Sequence, residues 1–408
     1  MQYHYFELKN GMRSVLSTHA SPVAHIGLII GAGSRDEQRG EHGLAHFIEH
    51  MVFKGTRARK SRQILNYIDI VGGDLNAFTT REETCLHASV PVEFTERAVD
   101  LLADVFNHGT FPEKELEREK EVVIDEIRSY RDMPDETILD EFESKLFKGH
   151  ALGRCVQGTE ESVASFDRNA LLNFVNRHYS ASTTVVSCVG NIEPKKWETL
   201  FKRYFEEVPP RAQVPKRKPF RGQNVFEESL TKNIYQSHCV VGTKAYSIQD
   251  KRRTGLVFLN NLLGGPGNNS RLNLEIRERH GLSYHIESNF VPYMETGTFL
   301  IYLGTDRKNL DRALSLVMKE LSLLRSKRLS TTALHHAQQQ LCGQLILGHE
   351  SGQAEMLSAG KSTLIRGKVY SIQDAIHDIR KLDPGFLLDI ANEVFMPEGL
   401  SRLTFQSS

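Results

Sequence analysis

Residues 208–222, VPPRAQVPKRKPFRG, constrain this chain more than any other stretch. They hold four of its 13 prolines and five basic side chains, with few apolar ones. Proline fixes φ and removes a backbone donor, so neither a helix nor a central strand fits here. The stretch reads as an extended linker, and it cuts the 408 residues almost in half. It predicts a domain over 1–208, a linker over 209–222 and a second domain over 223–408. Domains usually run to roughly 100–200 residues, so each half is long enough to bury a core without staples.

The two halves share a layout, as two copies of one ancestral unit would. The first runs from a strand at 24–31 through a charged loop to an apolar helix starting near Gly43. The second runs from a strand at 235–242 through a charged loop to an apolar helix starting near Gly255. A Gly-Gly pair and another helix follow in each. This alternation predicts an α+β fold of two homologous domains, each a mostly antiparallel sheet with helices packed on one face.

Charge and cysteine content narrow the function. The chain carries 51 basic and 51 acidic residues, without the basic excess of a nucleic-acid binder. The balance hides an asymmetry: residues 1–208 carry 25 basic and 33 acidic groups, a net −8, and residues 209–408 carry 26 and 18, a net +8. Five of the basic groups in the second half lie in the linker, yet the domains remain opposite in sign, which favours a first domain facing a second. The five cysteines are odd in number and widely spaced, without a CxxC pair. That argues against a disulfide framework and points to a reducing compartment. Residues 1–11 are polar and lack a signal-peptide core, and the apolar run 26–30 is too short for a bilayer. The expectation is a cytoplasmic protein with no membrane and no nucleic-acid partner.

Gly43-Leu-Ala-His46-Phe-Ile-Glu49-His50 is the segment that carries chemistry. On a helix, i and i+4 share a face, so His46 and His50 can hold one ion. Glu49 lies at the edge of that face, placed to act on water there without ligating. This is the H-x-x-E-H order. A lone histidine in an apolar helix would be an ordinary packed core residue. Three ionisable groups buried together need an ion or partners. A catalytic zinc site takes three protein ligands, so a third must come from elsewhere. The helix expected from Glu113 to about Tyr130, with Leu116, Val123, Ile127 and Tyr130 as its apolar stripe, offers Glu119 and Glu126. They are two turns apart on one side, so one could ligate while the other supports. Taken alone, that helix reads better as a solvated acidic face than as a source of ligands.

With these segments the sequence resembles the pitrilysin-type zinc metallopeptidases, the inverzincins, and among them the short bacterial relatives of the mitochondrial processing peptidase. The resemblance rests on Gly33-Ser-Arg-Asp-Glu37, on GLAHFIEHMVFKGT over 43–56, on Gly72-Gly-Asp-Leu-Asn76-Ala77-Phe78-Thr79, and on Glu119 through Glu126. It implies His46, His50 and Glu126 as ligands of one zinc per chain. It implies Glu49 as general base and Glu119 as a supporting acid. Asn76, Ala77 and Phe78 match the edge strand on which the family's peptide substrate lies, a mode that uses backbone hydrogen bonds. In the second half, Arg277 and Tyr284 match a pair that family members bring to the substrate backbone and the transition-state oxygen. Without the resemblance they are a surface arginine and a strand tyrosine. Aligning Gly255 with Gly43 puts Phe258, Asn261 and Leu262 where His46, Glu49 and His50 stand, so the second domain is expected to hold no metal.

Larger family members place four such domains in one chain. The resemblance therefore implies a homodimer whose closed chamber admits unfolded peptides, a zinc endopeptidase. The alternative is a non-catalytic scaffold or a partner-dependent processing subunit of the same fold. Other features carry less. Gly264-Gly-Pro-Gly267 reads as a turn rather than a phosphate cradle, His335-His336 as solvated, and Arg57, Arg59 and Lys60 as surface.

Overall fold

A computed structural model describes residues 2–210, 216–222 and 224–408. The chain forms two compact units. One comprises Met1–Arg128, Arg154–Arg217 and Gly348–Ser371; the other comprises Ser129–Gly153, Lys218–Leu347 and Ile372–Ser408. Part of the expected linker, residues 211–215, lies outside the described residues. The flanking 209–210 and 216–222 form neither helix nor strand.

The first unit is built on a sheet of β1 (Tyr3–Glu7), β2 (Arg13–Thr18), β3 (Val23–Ile30), β4 (Asp74–Thr79), β5 (Thr84–Pro91) and β6 (Thr184–Gly190). Their spatial order is β1-β2-β6-β3-β5-β4. All pairs are antiparallel except β2 with β6. β6, TVVSCVG, is buried along its whole length, as a central strand covered on both faces must be. β4 lies at the edge of the sheet. Ile26, Leu28 and Ile30 of β3 alternate onto the main core with Phe47, Ile48, Leu102, Trp197 and Phe201 from helices. Ile29 faces the other way, onto Met356.

That second face is covered by the helix Gly352–Arg366. It lies close because Gly360 has no side chain: a Cβ there would sit 2.4 Å from Ile29 Cδ1, inside van der Waals contact.

The second unit repeats the plan with β7 (Glu227–Lys232), β8 (Ser237–Ala245), β9 (His285–Pro292), β10 (Gly297–Thr305) and β11 (Ser401–Ser407). Their order is β7-β11-β8-β10-β9, with only β7 and β11 parallel. Numbered within the unit, the order is first, fifth, second, fourth, third. β2 to β6 of the first unit follow the same permutation, with the same single parallel pair. The internal duplication expected from the sequence is therefore visible strand by strand.

The expected α+β architecture with mostly antiparallel sheets is what the chain forms. The contiguous division at 208 and 223 differs from the observed units in two helical segments. The helix Pro134–Leu146 belongs to the second unit, and Gly352–Arg366 to the first. Ile138, Phe142, Leu146 and Phe147 are each at most 1% exposed and pack with Val240, Leu300 and Phe405 of the second sheet. Fully burying one such side chain contributes about 2 kcal/mol, and these four anchor the segment on the second sheet.

Candidate active site

The helix Leu44–Met51 buries Leu44, Ala45, Phe47, Ile48 and Met51. Its remaining face carries His46, Glu49 and His50. Its start is tightly specified. Gly43, before the first turn, has φ 89°, and a Cβ there would lie 2.5 Å from the Gln157 carbonyl oxygen. The buried Glu37 carboxylate accepts hydrogen bonds from the backbone N–H of Gly43 and of Ala45, both at 3.0 Å. Acceptors at this end satisfy donors that the helix itself leaves open. Burial raises the Glu37 pKa well above the carboxylate range, with the two backbone donors and Arg154 opposing.

The acidic helix Glu113–Arg131 brings two carboxylates to this face. Glu126 Oε1 lies 3.6 Å from His46 Nε2, and its Oε2 lies 3.3 Å from His50 Nε2. Glu119 Oε1 lies 3.0 Å from His50 Nδ1. Ligating atoms of His46, His50 and Glu126 all fall within 4.8 Å of one another, so the three could hold one metal ion. Among the described residues this is the only such cluster of three His, Cys, Asp or Glu side chains. Gln157 Nε2 donates to Glu126 Oε1 at 2.9 Å, which helps to hold that carboxylate in place.

The electrostatics divide the two imidazoles. Burial, reinforced by His50, pushes His46 down to about 4, so it is neutral at pH 7. Burial lowers His50 too, but the hydrogen bonds and charges of Glu119 and Glu126 outweigh it and lift the pKa to about 9. The hydrogen bond with His50 holds Glu126 below the ordinary carboxylate range, against burial. Burial opposes the same shift at Glu119, where His50 and Lys54 prevail. Glu49 moves the other way: burial raises its pKa, with Thr79 and His50 opposing. Among the described residues, neither its buried Oε2 nor the buried His46 Nδ1 has a hydrogen-bond partner.

Glu49 and His50 open onto a cleft of about 220 Å³, lined also by Phe53, Lys54, Ser61, Leu65, Asn76 and Ala77. Asn76 and Ala77 lie on β4, whose inner neighbour is β5, with Asn76 opposite His87 and Ala77 opposite Leu86. Phe78 is not in the cleft. It packs on the other face of the sheet, with Ile29, Cys85 and Met356.

Arg277 and Tyr284 lie in the second unit. Arg277 lies near the end of a π-helical turn, Asn273–Glu278, with its side chain half exposed, and Tyr284 is 79% exposed immediately before β9. Such exposure gives the tyrosine no packing role. Phe258, the counterpart of His46, is buried in the second core. His335 and His336 are exposed, as expected.

Three contacts went unread in the sequence. Glu37 capping the histidine helix lay within a quoted motif, but its role did not follow from spacing. Gln157 carries no sequence signal. Lys54 carries one, lying four residues beyond His50.

Residues 14–160 match the family profile described as insulinase, peptidase family M16, and residues 165–341 match the peptidase M16 inactive domain. The chain is 34% identical over 395 residues to YmxG of Bacillus subtilis, called an uncharacterized zinc protease, covering 96% of this chain and 95% of that one. The chain belongs to peptidase family M16. Another M16 relative is ML0855 of Mycobacterium leprae, also called an uncharacterized zinc protease, 34% identical over 379 residues with 91% and 84% coverage. Two solved structures share the fold. One is a peptidase M16 inactive domain from Pseudomonas fluorescens, with TM-score 0.93 at 19% identity, covering 100% of this chain and 99% of that one. The other is a protease from Helicobacter pylori, with TM-score 0.91 at 20% identity and 99% coverage of both. Among the described residues, no helix of this M16 chain is long and apolar enough to cross a membrane.

Proposed function

We propose that this chain is a zinc-dependent endopeptidase of unfolded peptides, with one zinc per chain held by His46, His50 and Glu126. The observation that carries the reading is the convergence of those three ligating atoms within 4.8 Å beside the unpartnered Glu49 Oε2. The donor set fits zinc, since two imidazole nitrogens and one carboxylate match a catalytic zinc site. The surroundings fit as well: two carboxylates flank the half-buried His50 ring, 3.0 Å from Nδ1 and 3.3 Å from Nε2, and would balance a bound cation. Zinc bound there supplies Lewis acidity to water and to the scissile carbonyl.

This chain's own residues do the rest. Glu49 accepts the proton of the attacking water at Oε2 and later delivers it to the leaving amine. A carboxylate whose pKa burial has raised is suited to both transfers. Glu119 holds the His50 ring through Nδ1, leaving Nε2 free for the metal. The edge strand β4 receives the peptide as an added strand along Asn76–Phe78, with Asn76 and Ala77 at the cleft. Two chains close on the peptide, and Arg277 and Tyr284 of the partner subunit donate to its backbone and to the developing oxyanion. Removing one such donor typically lowers the rate about 10²–10³-fold.

Metal removal tests the proposal. A chelator should abolish digestion of an unstructured peptide by the purified chain, and added zinc should restore it. Undiminished digestion after zinc has been stripped to undetectable levels would sink the reading. Zinc-loaded chain that digests nothing alone would favour the partner-dependent subunit.

A further inference from the structure

Lys54 has no part in the reading above, yet it completes the group around His50. It lies four residues beyond His50, as His50 lies four beyond His46. The helix ends at Met51, and the Lys54 N–H bonds the Met51 carbonyl at 3.1 Å in the turn that follows. The side chain then reaches Glu119, with Nζ 2.6 Å from Oε2. The other oxygen of the same carboxylate is the one 3.0 Å from His50 Nδ1. Glu119 is buried, with a side chain 9% exposed, and its two oxygens are divided between an ammonium and an imidazole.

We propose that Lys54 is a positioning residue for the metal-binding imidazole of His50, acting through Glu119. The inference rests on the reading of His50 as a metal ligand. An imidazole presents Nε2 in a fixed direction only if an acceptor at Nδ1 sets both its tautomer and its ring plane. A carboxylate held at one oxygen turns readily, because its terminal torsion is broad. An ammonium on the second oxygen removes that freedom. It also occupies the oxygen that could otherwise swing toward a cation and compete with Glu126. A solvent-exposed ion pair would contribute little, but this carboxylate is buried, so each of its oxygens needs its partner.

The test is zinc affinity, measured on the purified full chain by competition with a chromogenic chelator. Lys54→Met and Lys54→Gln should each weaken zinc about 10-fold, the usual scale for a residue behind a metal ligand. Lys54→Arg, which can still reach Oε2, should recover most of the loss. In a Glu119→Gln background, Lys54→Met should cost nothing more, because the group it acts through has gone. Wild-type affinity in both neutral variants would overturn the inference, as would losses from Lys54→Met and Glu119→Gln that multiply. If the wild-type chain binds no zinc, the reading of the site falls with it. If the wild type binds zinc and the variants match it, only the role of Lys54 falls.

Discussion

At His50 one imidazole meets two carboxylates, and this sets how the metal-free protein meets its metal. The free imidazole keeps its proton up to about pH 9, and a metal can bind Nε2 only after that proton leaves. Zinc affinity should therefore rise with pH between 6.5 and about 9, by about tenfold per pH unit for one proton released. His46 adds nothing to this slope, because burial already keeps it neutral. Zinc titrations in competing-chelator buffers at several pH values check it, and an affinity flat over that range would contradict the His50 electrostatics. Much of this site was legible in the sequence. The i, i+4 spacing alone puts His46 and His50 on one face, with Glu49 at its edge. Glu126 was legible only through the resemblance, since Glu119 and Glu126 share a helix side. What separates them is tertiary: Glu126 faces both Nε2 atoms, and Glu119 faces Nδ1.

At the scale of elements, the histidine helix depends on its entry. Gly43 is left-handed, and the carbonyl of Gln157 occupies the space a Cβ would need. Gln157 is also the residue that steadies Glu126. Gly43→Ala should therefore destabilise the metal-free protein by about 2 kcal/mol or more, combining left-handed strain with a backbone clash. It should also weaken zinc, by displacing the Gln157 loop. Denaturant unfolding of zinc-free protein measures the first effect, and unchanged stability would mean that the entry geometry is not as described. The strands were legible because β3 and β8 are apolar runs bounded by charged loops. The destinations of the helices Pro134–Leu146 and Gly352–Arg366 were not. Periodicity tells which face of a helix is apolar, but not which sheet receives it. Only the fit of Phe142 and Phe147 to one sheet, and of Gly360 to the other, decides that.

For the whole molecule, the repeated strand permutation explains how one chain carries a metal-binding unit and a relative without one. Phe258, at the position that aligns with His46, packs in the second core, and an apolar ring cannot ligate an ion. If sites are shared between chains, co-expressed Glu49→Gln and Arg277→Ala variants, each inert alone, should regain activity. In a two-fold dimer one intact site forms in each mixed pair, or about a quarter of wild-type sites. No recovery in confirmed mixed dimers would contradict the shared arrangement. The central claim is simpler, that Glu49 moves the proton while His46, His50 and Glu126 hold the metal. Zinc content and peptide digestion, measured together for Glu49→Gln and the wild type, test it most directly. The account predicts that zinc is retained at the wild-type level while digestion falls by at least about 100-fold. Digestion at the wild-type rate by zinc-loaded Glu49→Gln would contradict it.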